Sequence, residues 1–150
     1  MKRFEYPVVR SDGSHVSLRD FLSRLPGHGY TWRILFFHGV GVAPNGMDMA
    51  AFEAACLGSP RGVVFAWNEL KAFVDDIDQV HDCLIVASSE HASIDAEAVR
   101  QGDYAGCDFV LELFDSTTWE AAYGEALEVS FGAACEAVRL APSPLRSIGR

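Results

Sequence analysis

Residues 62–87 read Gly62-Val63-Val64-Phe65-Ala66-Trp67, then Asn68-Glu69-Leu70-Lys71-Ala72-Phe73-Val74-Asp75-Asp76-Ile77-Asp78-Gln79-Val80-His81-Asp82, then Cys83-Leu84-Ile85-Val86-Ala87. The outer runs, Val63 to Trp67 and Cys83 to Ala87, have the length and the Val, Ile and aromatic content of core strands. Between them Leu70, Phe73, Val74 and Ile77 recur at i, i+3, i+4 and i+7, which sets one apolar stripe along a helix. Asn68 stands at the N-cap position, where its side chain accepts a free first-turn N–H. The stretch predicts a strand, a helix and a second strand. Asp75, Asp76, Asp78 and Asp82 then project from the helix end and the loop after it.

Upstream, Phe4, Tyr6 and Val8 alternate with Glu5 and Pro7, the pattern of a strand that Pro7 places at a sheet edge. Leu18, Phe21, Leu22 and Leu25 form a helical stripe closed by Pro26-Gly27. Trp32 to Phe37 follows, and Ile34-Leu35-Phe36-Phe37 within it is apolar on both faces, which predicts a central strand. Gly39, Gly41, Pro44, Asn45 and Gly46 read as a loop, and Asp48 as the cap of a helix reaching about Leu57.

Downstream, Ser93 is placed to cap a short helix from Ile94 to Gln101, and Phe109 to Phe114 makes a fifth strand. Thr117 and Glu120 have capping-box spacing. Trp119, Ala122, Tyr123, Ala126 and Leu127, then Phe131, Ala134, Cys135 and Val138, keep helical phase, predicting one long helix to about Leu140. Leu127 to Phe131 also alternates as a strand does. Residues 141–150 read as a loose tail. The sum is a single α/β domain over 1–150, with a mixed five-stranded sheet, flanking helices and a long C-terminal helix. An α+β fold with a mainly antiparallel sheet is the alternative.

The 150 residues carry a net charge of −9, unevenly spread. Residues 1–61 hold seven Lys/Arg against five Asp/Glu, whereas residues 62–136 hold two against sixteen. Such a field repels nucleic acid and anionic lipid and attracts basic partners. No apolar run has the length of a membrane span, and the N-terminus lacks the apolar region of a secretory signal, so a cytoplasmic protein is expected. Cys56, Cys83, Cys107 and Cys135 show no Cys-x-x-Cys spacing and read as buried free thiols.

Chemical motifs are incomplete. Phe36-Phe37-His38-Gly39-Val40-Gly41 is similar to the His-Gly oxyanion loop of α/β-hydrolases, but no Gly-x-Ser-x-Gly elbow accompanies it. Pro44 takes the third glycine position of a dinucleotide fingerprint, and no Walker loop occurs. The acidic run lacks the glycine and glutamate of a calcium loop. A small hydrolase is left with Cys83 and His38, or with Ser88, Ser89 and His91. No cofactor or metal is expected.

At Tyr30-Thr31-Trp32-Arg33-Ile34, at Val64 to Phe73 and at Asp82-Cys83-Leu84-Ile85-Val86-Ala87 the chain resembles small bacterial immunity proteins, encoded beside polymorphic or secreted toxins. The likeness spans roughly the middle third to half of the chain. It implies a cytoplasmic, single-domain, non-enzymatic acidic inhibitor that occludes a toxin's active site. Complementary carboxylates would speed capture and fix register on a cationic cleft. Asp75, Asp76, Asp78 and Asp82, with Asp103 and Asp108, are the residues expected to meet that basic partner. A non-inhibitory adaptor and a small enzyme are the other readings.

Overall fold

A computed structural model describes residues 1–89 and 92–140. Six strands form one sheet: β1 (Lys2–Pro7), β2 (Thr31–Gly41), β3 (Val63–Phe65), β4 (Ile77–Ser88), β5 (Phe109–Phe114) and β6 (Thr118–Tyr123). Their order is β1-β6-β5-β4-β2-β3, and every pairing is antiparallel. The helices are α1 (Leu18–Leu22), α2 (Met49–Gly58), α3 (Trp67–Asp75), α4 (Ala96–Arg100) and α5 (Ala133–Leu140). Helices flanking a sheet are as expected. The sheet itself is the antiparallel α+β alternative, with a sixth strand in place of the mixed five-stranded one.

The unit read first from the sequence is present with shifted boundaries. Strands β3 and β4 both run antiparallel to β2, one on either side, so they run the same way but never pair. Helix α3 joins them. It starts at Trp67 rather than after Asn68, because Glu69 Oε1 accepts the Ala66 N–H at 2.8 Å and closes the first turn. Ile77 leaves the helical stripe and begins β4, whose twelve residues place Asp78 and Asp82 on a strand and not in a loop.

The sixth strand corrects the expected long helix. Asp115 and Ser116 both have positive φ (47° and 60°), and Thr117 N–H bonds Phe114 O at 2.9 Å, which turns the chain back on itself. Two positive-φ residues at a turn's centre match the twist of a hairpin. Thr117 therefore serves the turn, and no helix starts there. Trp119, Ala121 and Tyr123 are buried on one face, and Ala122 on the other. Burial on both faces hides the two-residue period, so positions 119, 122 and 123 suit a helix as well as a strand. True α-helix returns only at Ala133, after a 3-10 turn at Glu125–Leu127 and a π-turn at Glu128–Gly132. The strand alternative for 127–131 is not formed either.

The sheet is covered on both faces. Trp32, Phe37, Ile85, Phe109, Leu111 and Trp119 pack beneath α1, α3 and α5, meeting Phe21, Leu70, Phe73 and Phe131. Leu35, Leu84, Val86 and Val110 meet Ile94, Val99, Tyr104 and Cys107 on the second face. Helix α4 there is capped by Asp95, which accepts from Glu97 and Ala98, and not by Ser93. The four cysteines are free and buried. Among the described residues no helix is long and apolar enough to cross a membrane. Glu90, His91 and the expected tail at 141–150 lie outside the described residues.

Candidate protein-binding face

The joint between α3 and β4 is held rigidly from below by β2. Gly41 has φ 149°, and a Cβ there would lie 2.5 Å from Asp76 O and 2.7 Å from Ile77 Cα. Only glycine permits that approach. Val42 N–H then donates to Asp76 O at 3.0 Å. The expected glycine loop is thus mostly strand: β2 runs through Gly41, and Gly39 N–H is taken by Glu53 Oε2 at 3.1 Å. It offers no oxyanion hole.

This geometry brings three of the six expected aspartates together. Asp75 ends α3, Asp76 is its C-cap, and Asp78 follows on β4, all three exposed. Carboxylates at a helix C-terminus face the negative end of its dipole, and α3 has no basic residue in its last turn to offset them. Asp75 is paired with Arg19, whose Nε lies 3.5 Å from Oδ1 and whose Nη2 donates to Asp75 O at 3.0 Å. Among the described residues Asp76 and Asp78 have no ion pair.

An apolar cleft opens on either side of the joint. The first, of about 340 Å³, has Val16, Val74, Val80, Leu113 and Trp119 in its walls and Asp78 and Arg19 at its edge. The second, of about 310 Å³, is walled by Val42, Val63, Phe65 and Phe73, with Asp76 at its edge. Their volumes fall at the lower end of the range of roughly 300–1,000 Å³ typical of small-ligand sites.

The other three aspartates go elsewhere. Asp82 is half-buried on β4, accepts Asp115 N–H at 2.7 Å and lies 3.8 Å from His38 Nδ1. Asp103 closes a turn by accepting Ala105 N–H at 3.2 Å. Asp108 N–H bonds Ala87 O, near the far end of β4. From Asp78 to that end is about 30 Å at a strand's rise of ~3.3 Å per residue. One continuous six-aspartate patch does not form.

The pairs considered for catalysis are placed as follows. His38 pairs with Asp82 and Phe37 with Cys83 in the β2–β4 register, so the imidazole and the thiol leave opposite faces of the sheet. Burial pushes the Cys83 thiol well above its usual range. Ser116 Oγ lies 3.3 Å from His81 Nδ1, a contact that appears only once the β5–β6 turn is formed. The N–H groups of Asp115, Ser116 and Thr117 already donate to Asp82 Oδ1, His81 O and Phe114 O, so none points free beside that hydroxyl. Among the described residues no three His, Cys, Asp or Glu side chains gather as a metal ion requires.

A second acidic feature escaped sequence reading. Glu5, Glu120 and Glu112 stand directly opposite one another on β1, β6 and β5. Burial, then the charge of Glu120, raises the Glu112 carboxyl to about 7, opposed by Arg3. Tyr104 Oη donates to Glu120 Oε1 at 3.2 Å. Phe114 and Phe36, on the same sheet face but with β4 between their strands, are exposed. The signal was available only by reading Thr118-Trp119-Glu120-Ala121 as alternating.

The chain matches no known protein family, no curated protein and no solved structure.

Proposed function

We propose that this protein binds a basic partner protein at the α3–β4 joint, in the manner of an immunity protein that covers a toxin's cationic active site. The observation that carries the reading is the placement of Asp75, Asp76 and Asp78. Asp75 and Asp76 are set against a helix C-terminus that disfavours them and Asp78 follows on β4, on a backbone fixed by Gly41 and beside two apolar clefts. Arg19 offsets Asp75, but among the described residues Asp76 and Asp78 have no ion pair, and a sequence that breaks a local rule without full compensation marks a functional place. A cationic partner supplies the missing compensation. The clefts offer the desolvated anchor sites on which affinity depends, while the carboxylates steer the encounter.

The test is co-expression with basic toxin domains encoded beside this chain in its host. Growth rescue by the wild type and loss of rescue in the Asp75→Asn, Asp76→Asn, Asp78→Asn triple variant are expected. Rescue that survives the triple change removes the joint from the interface. A stable complex without protection from the toxin points to a non-inhibitory adaptor instead.

A further inference from the structure

Resting on the reading of the joint as the binding face, we infer that the partner inserts two long basic side chains, one into each cleft. Each cleft combines an apolar wall with a single uncommitted carboxylate at its edge, Asp78 in the first and Asp76 in the second. That pairing of features is the complement of Lys or Arg, whose aliphatic stem covers apolar surface while its charged head stays in water. His15 also lines the first cleft, and the two formally charged groups left on the rims are engaged. Arg19 is turned onto Asp75 in the first cleft, and Glu69 is spent on the Ala66 N–H in the second. An apolar side chain alone would leave each carboxylate without a counter-charge, and an acidic one would be repelled. Asp76 and Asp78 are two residues apart, so the two prongs come from neighbouring positions of one partner element. Spacings of i, i+2 on a strand or i, i+4 on a helix give that reach.

The experiment uses the isolated protein and the small probe n-butylguanidinium, with butyrate as the opposite-charge control, followed by amide and indole NMR shifts. Two reporters are built in. Trp119 Nε1–H donates to Val16 O at 2.9 Å beside the first cleft, and Val42 N–H donates to Asp76 O beside the second. The cation is expected to move both signals, and butyrate neither. Asp78→Asn should weaken the Trp119 response about threefold, the effect of losing an exposed ion pair, while leaving that of Val42. Asp76→Asn should do the converse. Equal shifts with butyrate, or both responses surviving both variants, overturn the inference. An Asp103→Asn variant, remote from the clefts, should change neither response, and a change there would also overturn it. Because no toxin is present, failure here leaves the co-expression result standing. Failed growth rescue with intact probe shifts removes the immunity role and keeps the two cation clefts.

Discussion

At the α3–β4 joint the carboxylates of Asp75, Asp76 and Asp78 come from nearly consecutive residues, whereas those of Glu5, Glu120 and Glu112 come from three strands, β1 at the start of the chain and the distant β5–β6 hairpin. The first group is exposed, so water and salt screen its mutual repulsion. In the second, Glu112 and Glu120 are half-buried, and like charges directly opposite one another across strands are destabilising. The difference shows up in proton binding: burial first, and Glu120 second, hold the Glu112 carboxyl near 7. One surface keeps its charge at little cost to the fold and is free to meet a partner. The other ties its charge state to the stability of the sheet.

The comparison breaks most readily at Gly41. Alanine there must adopt φ 149° and bring a Cβ against Asp76 O and Ile77 Cα. Backbone strain and the clash should together cost about 3 kcal/mol, read as a shift of the urea midpoint. A cost below about 1 kcal/mol would mean the joint yields, and its three carboxylates are not held in a fixed arrangement.

Glu112→Gln sharpens the contrast from the other side. The folded carboxyl keeps its proton up to about pH 7, while the unfolded one releases it near its ordinary value of 4.5. Its contribution to stability is therefore full below the unfolded value and is lost as pH rises through 7. The glutamine variant should exceed the wild type by about 1–2 kcal/mol at pH 8, discounted for partial exposure, and the gain should vanish below pH 4.5. Denaturation curves at the two pH values measure it. A gain that does not depend on pH would show that packing, not charge, limits this face.

Neutralising Asp75, Asp76 and Asp78 together has the reverse profile. Association with a basic partner should slow about tenfold at low salt and far less at high salt, as for electrostatic steering. Stability should change by less than about 0.5 kcal/mol, because the lost Arg19 pair is exposed and relief at the helix end offsets it. Stopped-flow rates over a salt series separate this from a folding defect.

The same contrast explains what could be read from the chain. The stripe of Leu70, Phe73 and Val74 and the runs at 63–65 and 83–87 gave helix and strands, because periodicity is local. The clustering of Asp75, Asp76 and Asp78 was equally local. Strand β6 was missed because Ala122 is buried against the second core cluster, which adds a helix-phased apolar position to a strand. The carboxylate row could not be seen without β6. Three register shifts in the β2–β4 pairing, at Ile34/Phe36, His38/Gly39 and Val40/Gly41, likewise follow from how the strands meet and not from any motif. Asp82 groups with its neighbours in sequence, but it is the sixth residue of β4, about 13 Å beyond Asp78 at a strand's rise of ~3.3 Å per residue, and lies beside His38.

The smallest expected effect is the most discriminating about the row itself. Glu5 lies on the edge strand and is exposed, yet it stands opposite Glu120 as Glu112 does. If repulsion passes along the register, Glu5→Gln should raise stability at pH 8 by about 0.3 kcal/mol, the low end for a cross-strand pair. The double variant with Glu112→Gln should gain nearly the sum, because the two glutamates touch Glu120 and not each other. Were Glu120 replaced first, both gains should shrink together, since the shared neighbour is gone. Gains that persist in a Glu120→Gln background would place the origin of the raised Glu112 carboxyl in burial alone, and the row would then be three separate glutamates and not one coupled feature.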